Sequence, residues 1–169
     1  MPEKVPPTNQ PNKRVRSEIY EKVKALKLNF TSFPQPELLI RVPNKYPGQV
    51  EVEHCEPEFT SLCPFNPTQP DYAKITVDLF PDKWNPELKS LKMYFASYRQ
   101  AEVFHEEIPA MVANSLYELI EPFYIIVVSE YTPRGGIFTK VKASRVRPGW
   151  DAMQPVEVNL AKFGIKVGQ

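Results

Sequence analysis

The chain has 169 residues, 42% hydrophobic and 24% charged, with a formal net charge of +1 at neutral pH. That length buries the core of one ordinary globular domain, and so small a charge excludes the global basic field that holds nucleic acid. Two cysteines exclude a secreted disulfide framework. The longest strongly apolar run, FYIIVV at residues 123–128, falls far short of the roughly 20 residues that cross a bilayer.

The opening MPEKVPPTNQPNKRVRSE has no apolar h-region, so the expected setting is cytoplasmic. Residues 1–17 read as a polar, proline-rich leader, disordered by composition, and residues 18–169 as a single domain. A short helix is expected over residues 17–26, with Ser17 as N-cap and Ile19, Val23 and Leu26 on one face. ELLIRV and QVEVEHC then read as strands around the turn PNKYPG, and KITVDLFP as a third strand with Ile75, Val77 and Leu79 on one side. SLKMYFASY, residues 90–98, reads as a fourth strand.

A helix follows over residues 102–120, with Ile108, Val112, Leu116 and Leu119 on its buried stripe. Pro109 is compatible only with the first turn, which moves the start close to Glu106. FYIIVVSEY and IFTKVKASRV are two further strands flanking the turn Pro133-Arg134-Gly135-Gly136. Strands, helix, strands is an α+β order with a largely antiparallel sheet and helices on one face. A sheet so sparsely covered implies self-assembly.

The stretch EFTSLCPFNPTQPDYAKI carries the chain's most suggestive chemistry. Cys63 precedes a proline among turn formers, which reads as a stiff loop, and Asp71 follows two more prolines. Cysteines are more often buried and inert, and aspartates commonly serve turns. The pair together suits addition of a thiolate to an unsaturated carbon with a proton donor at hand. Zinc is not expected: His54 and Cys55 are strand neighbours pointing to opposite faces, and there is no Cys-x-x-Cys. In VFHEE, the acids Glu106 and Glu107 near a helix start complement its dipole, which leaves His105 unexplained; a His105–Glu106 pair also suits a ring's nitrogens and amino group. Lys89, Lys92 and Arg99, with Glu87, read either as a solvated edge or, with Arg134 beside two glycines, as phosphate contacts. No Gly-x-Gly-x-x-Gly follows a strand, so a nucleotide would not bind in Rossmann fashion.

EFTSLCP with QPDYA, ELKSLKMYF with FHEE, and PRGGI together resemble the signatures of the 7-cyano-7-deazaguanine reductases, the QueF nitrile reductases of queuosine biosynthesis. The similarity runs over about residues 43–137 and matches the short, single-module form. The resemblance implies a tunnelling fold assembled into rings, two stacked pentamers forming a decamer. It implies NADPH-dependent reduction of the nitrile of 7-cyano-7-deazaguanine to a primary amine. Cys63 would be the nucleophile that forms a covalent thioimide, Asp71 the acid that protonates nitrogen, and His105 a catalytic neighbour. Glu106 and Ser90 would bind the deazapurine. Glu87, Lys89, Lys92 and Arg134 would bind NADPH, with no metal, no membrane and no direct nucleic-acid contact.

The chain departs from the family loop Cys-Pro-x-Thr-Gly-Gln-Pro-Asp by one inserted residue and the loss of its glycine, so the path from Cys63 to Asp71 is expected to differ. Three rival readings follow from the same residues. One is a nitrile transferase acting on tRNA, whose relatives lack ELKSLK. Another is a pterin-type cyclohydrolase, which needs zinc ligands. The third is a non-catalytic ring-forming binding protein.

Overall fold

The computed structural model describes residues 13–150. Helix α1 spans Lys13–Ala25. It begins a turn before the expected N-cap, so Ser17 lies inside it. The run Lys13, Arg14, Val15, Arg16 contains good helix formers and nothing that stops a helix. Ile19, Val23 and Leu26 are half-buried, as their spacing implies. The leader up to residue 12 lies outside the described residues.

The expected strand ELLIRV is replaced by a 3-10 turn at Pro36–Leu38 and a short strand β1 at Arg41–Pro43. Leu38 and Leu39 are both buried, and Pro36 at the first position of the 3-10 turn sets the backbone that leads into them. Strand β1 does not pair with the next strand in the chain. It pairs antiparallel with β4, Trp84–Pro86, through Val42 opposite Asn85.

The main sheet is antiparallel and four-stranded, in the order β2, β3, β5, β6, comprising Val52–Cys63, Asn66–Phe80, Tyr124–Tyr131 and Lys140–Val146. Its register places Val77 opposite Val127 and Ile75 opposite Ser129. Ile75, Val77 and Leu79 therefore join Ile125 and Val127 on one fully buried face. Helices α2, Leu88–Ser97, and α3, Ile108–Ile120, cover that face in a single core with Leu91, Phe95, Val112 and Leu116. On the reverse face, Tyr124, Ile126 and Val128 form a second cluster with Phe80 and Trp150.

Residues 90–98, expected as a strand, are helical. The Glu87 carboxylate accepts hydrogen bonds from the backbone amides of Lys89, at 3.1 Å, and Ser90, at 2.7 Å, satisfying donors that a helix start leaves orphaned. Ser90, Leu91, Tyr94, Phe95 and Tyr98 then share one buried stripe. The Tyr94 and Tyr98 hydroxyls lie 2.8 Å apart, and Tyr94 donates to Ser115 at 3.2 Å, joining α2 to α3. Helix α3 starts at Ile108 with Pro109 in its first turn, where a missing amide costs no hydrogen bond. Ala113 and Ile120 complete its buried stripe, while Leu119 is half-buried.

Candidate active site

Cys63 is the last residue of β2, not part of an open loop. Pro64 and Phe65 make the tight turn, and Cys63 pairs directly with Asn66. One step back, Leu62 pairs with Pro70 and Ser61 with Asp71, so Pro67, Thr68 and Gln69 are extra residues on the β3 side. The inserted residue is absorbed in this bulge. The Thr68 hydroxyl donates to the Asn66 side chain at 2.7 Å within it. Prolines 67 and 70 are tolerated because β3 pairs with β5 only from Ala73 onward, leaving their missing amides without a ladder partner to disappoint. Asp71 thus keeps its place opposite Ser61, and Cys63 lies two residues along from Ser61 on the same side of β2.

A third segment closes on this hairpin. The Leu62 amide donates to the Ala101 carbonyl at 2.9 Å, and the Val103 amide donates to the Leu62 carbonyl at 3.2 Å. Residues 101–103 therefore run beside Leu62 on the outer edge of β2, and the chain delivers His105 to Asp71. The His105 Nε2 lies 3.0 Å from Asp71 Oδ2. The Arg134 Nε lies 2.7 Å from Oδ1; this is an ionic contact without an aligned hydrogen bond to that oxygen. Asp71 is 2% exposed, and a buried carboxylate demands such partners. Cys63 is half-buried, open enough for a small electrophile to reach.

Tyr131 was not anticipated as a site residue. Its ring stacks on His105 with centroids 3.8 Å apart and planes within 8°, and its hydroxyl donates to the His105 carbonyl oxygen at 3.2 Å. Burial raises the phenol well above its ordinary range; the neighbouring Ser129 side chain opposes the shift, and the charges of Asp71 and Glu106 add to it. The alternation of β5, which puts Tyr131 on the helix-facing side with Ile125 and Val127, was the available signal. Phe65 and Phe104, both exposed, meet edge-to-face at 5.5 Å beside the hairpin tip.

The remaining candidates divide. Glu106 is exposed next to His105. The Ser90 hydroxyl is fully buried, donates to the Glu87 carbonyl at 2.7 Å and accepts from the Ile40 amide at 3.0 Å. Glu87 caps α2. Lys89 and Lys92 are exposed on the same helix. Lys92 lines a cleft of about 130 Å³ with Arg99, Phe95, Glu56 and Glu58. Among the described residues, no hydrogen bond or ion pair links Glu87, Lys89, Ser90 or Lys92 to Cys63, Asp71 or His105. His54 is half-buried and Cys55 exposed, in keeping with opposite strand faces.

A family model described as QueF-like protein matches residues 70–150, a span that holds every candidate site residue except Cys63. The NADPH-dependent 7-cyano-7-deazaguanine reductase of Nitrosomonas europaea is 45% identical over 100 residues, covering 59% of this chain and 71% of that protein. The enzyme of the same name from Alkalilimnicola ehrlichii is 44% identical over 117 residues, 69% of this chain and 90% of its own. The chain belongs to the 7-cyano-7-deazaguanine reductase family. Another reductase of this family, from Exiguobacterium sibiricum, is 40% identical over 127 residues, 75% of this chain and 78% of its own. Among solved structures, an archaeosine synthase QueF-Like in the apo form superposes with a TM-score of 0.51 at 23% identity, covering 59% of this chain and 95% of that one. At that identity the likeness is one of fold. The α+β architecture expected for the reductase family is the one observed.

Proposed function

We propose that the protein is an oxidoreductase that reduces the nitrile of 7-cyano-7-deazaguanine to an aminomethyl group with NADPH, in queuosine biosynthesis, through a covalent adduct on Cys63. The observation that carries the mechanism is the convergence of three chain segments: the β2–β3 hairpin sets Asp71 opposite Ser61, two residues before Cys63 on β2, and the segment entering α3 sets His105 3.0 Å from the Asp71 carboxylate. A nitrile is a weak electrophile, so attack on it benefits from a thiol and an acid fixed in mutual position. In the first step the Cys63 sulfur bonds to the nitrile carbon and one carbon–nitrogen π bond opens. The nitrogen takes a proton from the Asp71 carboxyl, which receives the proton the thiol gives up. General acid assistance of this kind contributes about 10²–10⁴ in rate. NADPH, when bound, supplies hydride to the substrate carbon, twice per turnover.

Glu106, exposed beside His105, is suited to accept hydrogen bonds from the deazapurine's amino and ring N–H groups, and the exposed rings of Phe65 and Phe104 offer it an apolar face. Ser90 acts in substrate binding through the loop and helix start that it fixes to Ile40. Lys89 and Lys92, the exposed cations of α2, fit the phosphates of NADPH. The cleft beside Lys92 is smaller than the roughly 300–1,000 Å³ of a complete ligand pocket, which supports a site finished by a second subunit. Strands β2 and β6 are the edges of the main sheet, and pairing such edges between copies would close it into the rings of a decamer. No helix among the described residues is long and apolar enough to cross a membrane; a cytoplasmic setting is part of the proposal.

The test is to mix the protein with the nitrile and NADPH and follow both NADPH absorbance and product mass. Loss of two NADPH per aminomethyl product is the expected result. Conversion of a nitrile carried on tRNA without NADPH loss would favour a transferase, and no turnover would favour a binding protein. Light scattering that shows a stable monomer at micromolar concentration would count against the ring.

A further inference from the structure

We infer that Arg134 is a positioning residue for the Asp71 carboxyl, holding the acid that serves the nitrile nitrogen, and that it is not a contact for cofactor phosphate. This rests on the covalent route proposed above. Arg134 sits at the tip of the arm that joins β5 to β6. Its amide and carbonyl exchange hydrogen bonds with those of Ile137, at 3.0 and 2.9 Å. Gly135 and Gly136 between them take φ of 54° and 82°, the pair of left-handed residues that a tight two-residue turn demands. The Thr132 amide donates to the Tyr72 carbonyl at 2.9 Å, tying the base of the arm to the residue after Asp71. The guanidinium is thereby presented to one spot.

At that spot its planar fork is spent on both sides of the acid. Nε lies 2.7 Å from Asp71 Oδ1. Nη2 donates to the Pro70 carbonyl at 3.0 Å, with the Gln69 carbonyl 3.5 Å away. Gln69 is the last residue of the bulge that absorbs the extra residues between Cys63 and Asp71, and Pro70, paired with Leu62, is the first beyond it. Arg134 therefore grips the side chain of Asp71 and the backbone leading into it, while His105 holds the other carboxylate oxygen. Two charged contacts from two different segments hold the two carboxyl oxygens. A lysine supplies one point charge on a flexible stem and cannot reproduce that fork.

The experiment measures formation of the Cys63 adduct by intact mass, with 7-cyano-7-deazaguanine and no NADPH, for the full chain and for Arg134→Gln, Arg134→Lys and Cys55→Ala. Because no cofactor is present, a phosphate contact cannot affect this rate. The expected result is a tenfold or greater slowing in Arg134→Gln, partial recovery in Arg134→Lys and no change in Cys55→Ala. Circular dichroism of each variant confirms that the rate is read on folded protein, with Arg134→Lys retaining the charge should Arg134→Gln fold poorly. An Arg134→Gln variant that forms adduct at the wild-type rate, and shows only a raised KM for NADPH in turnover, overturns the inference and returns Arg134 to the cofactor. Failure of the wild-type protein to form any adduct overturns the covalent route, and this inference with it.

Discussion

Tyr131 lies face to face with His105, 3.8 Å away and 8° from parallel, and its hydroxyl holds the carbonyl oxygen of the same residue. The imidazole that meets Asp71 is thus fixed by its ring and by its backbone at once. Stacked rings contribute about 0.5–1.5 kcal/mol beyond their buried area. Tyr131→Leu, assayed well below its melting temperature, should lower kcat roughly two- to tenfold with little change in the KM for NADPH. Tyr131→Phe, which keeps the stack, should recover most of that loss. Equal kcat in all three proteins would show that the stack does not orient His105 for the reaction.

Cys63 and Cys55 stand on one strand, one half-buried at the hairpin tip and the other exposed. Incubation with nitrile in the absence of NADPH should give an adduct of intact mass on Cys63. Cys63→Ala should abolish it and Cys55→Ala should leave it unchanged. Peptide mapping that places the adduct on Cys55 would overturn the assignment of the nucleophile.

Lys89 and Lys92 are exposed on α2 and enter no ion pair among the described residues. A hydrogen bond to a charged group contributes about 1.5–3 kcal/mol, so removing both should raise the KM for NADPH on the order of tenfold to a hundredfold per lost contact. The Cys63 adduct forms without cofactor and should be insensitive to the double change. Wild-type NADPH kinetics in Lys89→Ala/Lys92→Ala would place the phosphates elsewhere.

Glu121 caps the C-terminus of helix α3, adopting φ 46° and ψ 55° and donating its amide to the Tyr117 carbonyl. A left-handed conformation costs a residue with a Cβ about 1–2 kcal/mol, and glycine nothing comparable. Glu121→Gly should therefore stabilise the fold by about 1 kcal/mol, read as a higher denaturant midpoint. The Glu121 carbonyl, which accepts from Arg147, is retained by the substitution. An unchanged or lower midpoint would mean that the carboxylate contributes more than the backbone strain costs.

Burial lowers the pKa of His54 below its ordinary 6.5. The unfolded chain then binds the proton more readily than the folded one. The stability this histidine allows is fully present above about pH 6.5 and is lost as pH falls through its lower folded value. Between pH 7.5 and pH 5 the wild type should lose more stability than His54→Gln, as measured by denaturant midpoints at each pH. Parallel losses would assign the acid sensitivity to other groups.

The alternation of Ile75, Val77 and Leu79, the apolar run of β5 and the position of Pro109 made the central strands and α3 legible, because a sheet or helix with one buried face imprints its period on nearby residues. That Cys63 and Asp71 lie close in the chain on one proline-rich stretch was legible for a similar reason: both fall within nine positions, now the two strands of one hairpin. What lay beyond local pattern was decided by tertiary contact. Residues 90–98 carry strand-favouring aromatics, yet they are helical because Glu87 caps their first turn and their stripe of Ser90, Leu91, Tyr94 and Phe95 is buried against the sheet. Strand β1 found Trp84–Pro86 as its partner, more than 40 residues on, where proximity in sequence suggested β2. Arg134, separated from Asp71 by 63 positions, looked like a free cation beside two glycines. Only the register of β3 against β5, with Ala73 opposite Tyr131, carries the arm after β5 to the start of β3. Side chains so far apart in sequence meet through the ladder of hydrogen bonds that aligns their strands, and that alignment is a property of the whole sheet.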